Sequence, residues 1–345
     1  MRVSRRLVAI VVTLAVPCAA ALPAGATPVP GPMAVLQAQL SAFSVRPPGR
    51  VGIVVEDVAT GTTSGVNAGT EMPAASTIKI PVMVEVFQQL GAGSFDLNTK
   101  LRLRRSDKDW GSGDLAGARV GSSYTVARLL ALMIDVSDNT ATNMLIRRVG
   151  RQRINATMIR LGLTHTRLSD FIRTQGSMIR WALRSSPADM AHLLGAMAKD
   201  QLIDQWSSRQ MIAILRGQHY NGLLPAPLPA GTSVAHKTGT LHDTLNDVGI
   251  VYEGEAPYVI AVMTTDLRTL DSGRRFIRHV SRLAYDALGK FASWREGNGF
   301  IPPVDSLRAA PTDAAAPLPD QQMWTPQQTA PLGPAPPNPS PLPGE

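Results

Sequence analysis

The sequence predicts an α+β fold: one antiparallel sheet built from both chain ends, flanked by helices, with an all-helical subdomain inserted between them. Three observations predict it. β-Branched, apolar runs occur near residues 51–58 and return only after residue 233, while helical periodicity fills the middle. With 345 residues, 44% of them hydrophobic, the chain is long enough to bury a sizeable core. Beyond the N-terminus no apolar run reaches the roughly 20 residues that span a bilayer, which excludes a polytopic membrane protein.

The elements follow in order. Residues 33–43 read as a short amphipathic helix. Residues 51–58 read as a strand, and Ala59-Thr60-Gly61 turns it into a hairpin. A helix is expected from Ser76 to about residue 90, with Pro81 tolerated in its first turns. Further helices are expected over 125–133, 141–149, 187–197 and 204–216. Strands are expected over 233–240, 247–252 and 258–264, and a last helix over 274–288. A cleft where the sheet meets the helical insert is the default place for a site.

The two ends differ from this domain. Arg2, Arg5 and Arg6 form a basic start, an apolar run extends from Leu7 to Leu22, and Ala24-Gly25-Ala26 offers small residues to a signal peptidase. Residues 1–26 therefore read as a signal peptide of an exported, periplasmic or extracellular, protein; the alternative is an uncleaved anchor. Ser4-Arg5-Arg6-Leu7 also fits a weak twin-arginine signal. Cys18, the only cysteine, lies inside this segment, where Pro17 is a poor neighbour for lipid attachment. The mature chain then has neither disulfide nor thiolate. Residues 301–345 hold 13 prolines and read as a disordered tail or spacer. The domain between is 27–300.

Three short motifs carry chemistry. In Ser76-Thr77-Ile78-Lys79 the hydroxyl and the amine lie one helical turn apart on one face. Such an amine takes the hydroxyl proton when burial and positive neighbours keep it partly neutral. Alone the motif is weak, but Ala74, Ala75, Ile78, Ile80, Val82, Met83 and Val84 put this lysine near a core. Ser137-Asp138-Asn139 stands between two helices, where all three residue types also serve as caps. Lys237-Thr238-Gly239-Thr240 closes a strand, and Gly239 lets a substrate backbone approach; a basic, glycine-ended edge strand is the alternative.

Taken together, in this order, and spaced 61 and then 100 residues apart, the motifs match the trio shared by class A β-lactamases and penicillin-binding proteins. Gly111-Ser112-Gly113, Asn139-Thr140-Ala141-Thr142-Asn143 and Asn246-Asp247-Val248-Gly249-Ile250 support the match. The sequence resembles the class A serine β-lactamase family over about residues 51–288. The resemblance implies Ser76 as nucleophile and Lys79 as its base. It implies Ser137 as the relay to the leaving nitrogen, and Asn139 as the group that binds the ligand amide and steadies Lys79. Lys237 and Thr238 would meet the ligand carboxylate, and the amides of Ser76 and Thr240 would form the oxyanion hole. Donors of that kind contribute about 3–4 kcal/mol each to acyl transfer.

The sequence also departs from the family. The deacylating glutamate and the asparagine four residues after it are missing: no Glu lies between Glu85 and Glu253, and no Asn between Asn155 and Asn221. In the corresponding loop, Thr166-Arg167-Leu168-Ser169-Asp170-Phe171-Ile172-Arg173, Asp170 is the nearby carboxylate. It is one methylene shorter, and bracing the loop or capping a helix is its other role. Loss of general-base help costs about 10²–10⁴-fold, so Ser76 is expected to acylate readily and release slowly. Arg274 and Arg275 are candidates for a carboxylate-binding arginine. Trp110 either walls the cleft or belongs to the core.

The expected activity is β-lactam ring opening by an exported, monomeric serine hydrolase without cofactor. The rival is a D,D-peptidase on D-Ala-D-Ala stems, which the missing glutamate favours. A third reading is a catalytically retired envelope-binding domain. Five of the six histidines, His165, His192, His219, His236 and His242, show no HExxH spacing, so no metal is expected. A net charge of +8 is the only argument for nucleic acid, and the few aromatics do not interleave with the basic residues.

Overall fold

The computed structural model describes residues 31–174, 179–253 and 256–297. The signal-peptide and tail assignments, 1–26 and 301–345, lie outside the described residues.

In chain order the elements are α1 (Pro32–Phe43), β1 (Arg50–Asp57), β2 (Thr63–Val66), β3 (Met72–Pro73), α2 (Lys79–Gly91), β4 (Lys100–Arg102) and β5 (Ser123–Thr125). They continue with α3 (Val126–Asp135), α4 (Asn139–Val149), α5 (Arg151–Arg160), β6 (Arg167–Leu168), α6 (Ile179–Ala182), β7 (Leu183–Ser185) and α7 (Pro187–Ala198). The last are α8 (Gln205–Arg216), β8 (Ser233–Leu241), β9 (Thr244–Glu253), β10 (Ala256–Thr265) and α9 (Leu270–Gly297). The main sheet has the order β2-β1-β10-β9-β8 and every pairing in it is antiparallel. Strands from both chain ends thus meet at the β1–β10 pair, where Ile53 faces Val262.

Period-two alternation explains why this sheet is covered twice. Along β10, Tyr258, Ile260 and Val262 enter a cluster with Leu36 and Leu40 of α1 and Ile277 and Val280 of α9. The intervening Val259, Ala261 and Met263 enter the larger core shared with α2, α3, α4 and α7. A strand buried on both faces loses its polar alternation and reads as a continuous apolar run.

Caps fix several helix starts. Thr125 Oγ1 accepts from the Arg128 amide, Asp138 Oδ1 from Ala141 and Asp204 Oδ1 from Ser207. Differences from the sequence-based expectation have physical causes. The expected helix beginning at Ser76 opens with a 3-10 turn, Ala75–Ile78, before α2. Helix α5 was not expected, because only Ile154, Thr157 and Met158 of its ten residues are buried. Helix α9 runs past residue 288 through Gly289, since Phe291 continues its buried stripe. The inserted region is mainly helical but also carries the β4–β5 ribbon and β6. No helix among the described residues is long and apolar enough to cross a membrane.

Candidate active site

A cleft of about 850 Å³ opens between β8 and the helical insert, and Ser76, Ser137, Asn139, Thr238 and Thr240 all line it. The three motifs, far apart in sequence, therefore share one cavity.

Ser76 sits in the 3-10 turn that leads into α2, so its hydroxyl reaches the cleft while Lys79 points into the interior. Lys79 is 0% exposed. Its Nζ donates to the Ser137 carbonyl at 2.6 Å, to Ser137 Oγ at 2.9 Å and to Asn139 Oδ1 at 2.7 Å. The sequence-based expectation paired Lys79 directly with Ser76. The structure instead spends its three donors on the second motif, and no hydrogen bond joins Lys79 to Ser76 among the described residues. Burial first, and then the positive charge of Lys237, hold the Lys79 amine well below the ordinary lysine range; Asp138 and Asp109 oppose that shift.

The second motif both caps a helix and meets Lys79. Asp138 is the cap of α4 and also accepts from the Leu115 amide at 2.8 Å, while burial raises its carboxyl above the usual range. Ser137 takes a left-handed conformation, φ 57°, which turns both its carbonyl and its hydroxyl to Lys79. The Asn139 amide is tied to the Ser112 carbonyl at 3.0 Å, so Gly111-Ser112-Gly113 straps the motif from outside.

The third motif lies on β8, an edge strand of the main sheet. One side of its backbone is therefore unclaimed by β9. Gly239 packs against the nucleophile turn. A Cβ there would sit 2.9 Å from the Ala74 carbonyl and 3.1 Å from the Ser76 amide nitrogen, so no side chain fits. Lys237 is 0% exposed, donates to the Thr238 carbonyl at 3.1 Å, and is lowered to about 7 by burial, with Asp247 and Asp135 opposing. His236, on the opposite face of β8, is buried between Asp247 Oδ1 at 2.8 Å and Asn221 Oδ1 at 3.0 Å. It belongs to the strand's packing and not to a metal set. No cluster of three or more His, Cys, Asp or Glu among the described residues could hold a metal ion.

Other candidates separate clearly. The Asp170 side chain is 56% exposed, pairs with Arg151 at 3.4 Å and does not line the cleft. Its bracing role stands and its role as a base falls. The loop residues that line the cleft are Ile172, Arg173 and Thr174, of which Ile172 is the buried one, 6% exposed. Asn143 clamps it, accepting from the Ile172 amide at 2.8 Å and donating to its carbonyl at 3.1 Å. Among the described residues no carboxylate lines the cleft. Arg274 lines it and pairs with Asp271 at 3.2 Å; Arg275 also pairs with Asp271 but lies off the cleft. Trp110 is 71% exposed beneath Lys108, so it is not core, and its neighbours Gly111 and Ser112 form the wall. Sequence reasoning missed Ile172, Arg173, Thr174, Leu183, Tyr220 and His242 as lining residues, because none belongs to one of the three motifs.

Fold and cleft define a serine hydrolase whose nucleophile stands at the start of a helix, under an edge strand. The sequence pattern of the β-lactamase enzyme family matches residues 35–288, and the chain belongs to that family. It is similar to the β-lactamase from Sphaerobacter thermophilus DSM 20745 at 32% identity and TM-score 0.67, with 74% of this chain and 96% of that one covered. It is also similar to PBP-A, at 31% identity and TM-score 0.68 over 74% and 96% of the two chains. A PBP-A mutant in an acyl-enzyme complex with penicillin G matches at 30% identity and TM-score 0.69 over 76% and 100%. The protein is thus a serine β-lactamase-like hydrolase.

Proposed function

We propose that this protein opens β-lactam rings through an acyl-enzyme on Ser76, as class A β-lactamases do, and releases the product slowly. The observation that carries the reading is the Lys79–Ser137 contact at 2.9 Å beside a cleft that Ser76 also lines. A buried amine held partly neutral accepts a proton from the attacking Ser76 hydroxyl. The Ser137 hydroxyl, already bonded to that amine, passes a proton on to the ring nitrogen as the C–N bond breaks. The Ser76 and Thr240 amides receive the developing oxyanion, and Gly239 keeps β8 close enough for both to reach it. Lys237, Thr238 and Arg274 bind the ligand carboxylate, and Asn139 its amide.

Slow release follows from Ile172. Ile172 presents an apolar side chain to the cleft, and among the described residues no carboxylate lines the cleft to activate a water. Intact mass spectrometry after mixing with penicillin G tests both halves. The expected result is a one-ligand adduct on Ser76 that forms quickly and persists, and that is absent in Ser76→Ala. Rapid multiple turnover without a lasting adduct would refute slow release.

A second reading, D,D-peptidase action on D-Ala-D-Ala stems, is favoured by the same apolar Ile172 and by the likeness to PBP-A. Release of D-alanine from a stem peptide, abolished in Ser76→Ala, would establish it. Both readings place the protein outside the cytoplasm, where residues 1–26 would direct it. Secretion of a fusion carrying those residues checks that part.

A further inference from the structure

We propose that Asp109 is a positioning residue for the acylation of Ser76: its carboxylate fixes which way the Asn139 amide faces and fastens the Thr174 loop to the same point. The proposal rests on the acyl-enzyme reading above.

Asp109 is buried in the segment just before Trp110 and Gly111. Its own backbone is locked to α4: its amide donates to Thr140 Oγ1 at 3.1 Å, and that hydroxyl lies 3.2 Å from its carbonyl. The carboxylate then gathers three segments. Oδ1 accepts from Asn139 Nδ2 at 2.8 Å and from the Gly111 amide at 3.0 Å. Oδ2 accepts from the Thr174 amide at 2.8 Å, and Thr174 Oγ1 lies 3.1 Å from both oxygens. Gly111 leaves the room for this, since a Cβ there would collide with the Thr174 side chain.

A carboxamide has two ends of nearly equal shape and opposite polarity. Asn139 accepts from Lys79 only while its Nδ2 has an acceptor on the other side. Asp109 Oδ1 is that acceptor, held in place by the Gly111 amide that also donates to it. With the amide turned round, two donors would meet at Lys79 and two acceptors at Asp109. Asp109 thereby sets the polarity of the whole Asp109–Asn139–Lys79–Ser137 chain. Through Thr174 it also anchors the loop that holds Ile172 in the cleft. Its lone pairs are taken by these donors, so it has none left to activate a water and does not replace the missing deacylation base.

Asparagine cannot substitute, because every partner is a donor or a hydroxyl already shared. An amide nitrogen at position 109 would face either Asn139 and Gly111 or the Thr174 amide. Charge matters as well. The charged groups that face Lys79 are Lys237 from β8, Asp138 at the start of α4 and Asp109. Asp109 favours the ammonium form, so removing its charge lets the neutral amine persist to lower pH.

The test follows acylation of the full chain by penicillin G with intact mass spectrometry, over a range of pH, for the wild type and Asp109→Asn, with folding checked by circular dichroism. The expected result is acylation slowed by about 10–100-fold, with the acid limb of the rate profile moved to lower pH. A purely structural lesion lowers the rate at every pH and leaves that limb in place. A wild-type rate, or an unmoved limb, overturns the proposal while the acyl-enzyme reading stands. Failure of the wild type to form any adduct overturns both. Should Asp109→Asn not fold, Thr174→Val, at an exposed position, decides the loop contact. It keeps the charge and is expected to acylate about 2- to 10-fold more slowly with an unmoved limb; a wild-type rate overturns the proposal.

Discussion

Two lysines are wholly buried beside the cleft, and the protein holds them by different numbers of contacts. Lys79 makes three hydrogen bonds, all to the neutral residues Ser137 and Asn139, while the nearby carboxylates of Asp109 and Asp138 are committed to other donors. Among the described residues Lys237 makes one hydrogen bond, to the Thr238 carbonyl, and its amine is kept from falling further by the fields of Asp247 and Asp135. Both feel the fields of two carboxylates, but Lys79 is in addition pinned by three neutral acceptors. An amine held by neutral dipoles gives up its proton without losing its place, as a base must. An amine that burial brings near neutrality, against the pull of two carboxylates, would be recharged by an incoming anion, which is what the proposed carboxylate-binding role asks of it.

The sharpest way to break this contrast is to remove each amine in turn. Lys79→Met should slow acylation by about 10²–10⁴-fold, read as the rate of adduct formation at saturating penicillin. Equal losses from Lys79→Met and Lys237→Met in that rate would erase the distinction. Next in size, Ile172→Glu places a carboxylate on the face that now lacks one and should speed adduct decay by about 10²-fold, measured by intact mass after excess ligand is removed. Unchanged decay would mean that water does not reach the ester from that face.

Lys237→Met should weaken the concentration dependence of acylation by about 10–100-fold, the worth of a hydrogen bond to a charged group, with the limiting rate less affected. The smallest effect is on pH. The Lys237 pKa of about 7 lies below that of a free lysine, so its charge is present below about pH 7 and lost above it. Affinity for a carboxylate-bearing ligand should therefore fall as pH rises through that value, by up to about tenfold per unit. Affinity that held steady above it would show that Asp247 and Asp135 keep the amine charged.

Much of this arrangement was legible before any coordinates. The β-branched runs that became β1, β8, β9 and β10 announced themselves because both of their faces are buried. The motif residues Ser76, Lys79, Ser137, Asn139, Lys237 and Thr238 declared a shared chemistry through order and spacing. What stayed hidden depends on contacts between distant segments. Asp109 and Thr174 lie 65 residues apart and meet only because Gly111 has no side chain. Ile172 is an ordinary apolar residue until Asn143 turns it toward the nucleophile. Asp170 drew attention as a carboxylate, yet its neighbour Arg151 draws it to the surface. Register within a loop is set by such clamps, and single-sequence patterns do not encode them.

Ala75 and Ser137, which flank or belong to the reacting groups, both have positive φ, at 48° and 57°. Each costs about 1–2 kcal/mol that a glycine would largely avoid. Selection for heat resistance alone would thus be drawn to the very hinges that aim the chemistry. Ala75→Gly would survive a melting screen while loosening the turn that carries Ser76, so breeding a hardier version of this protein by thermal challenge would tend to breed a blunter one.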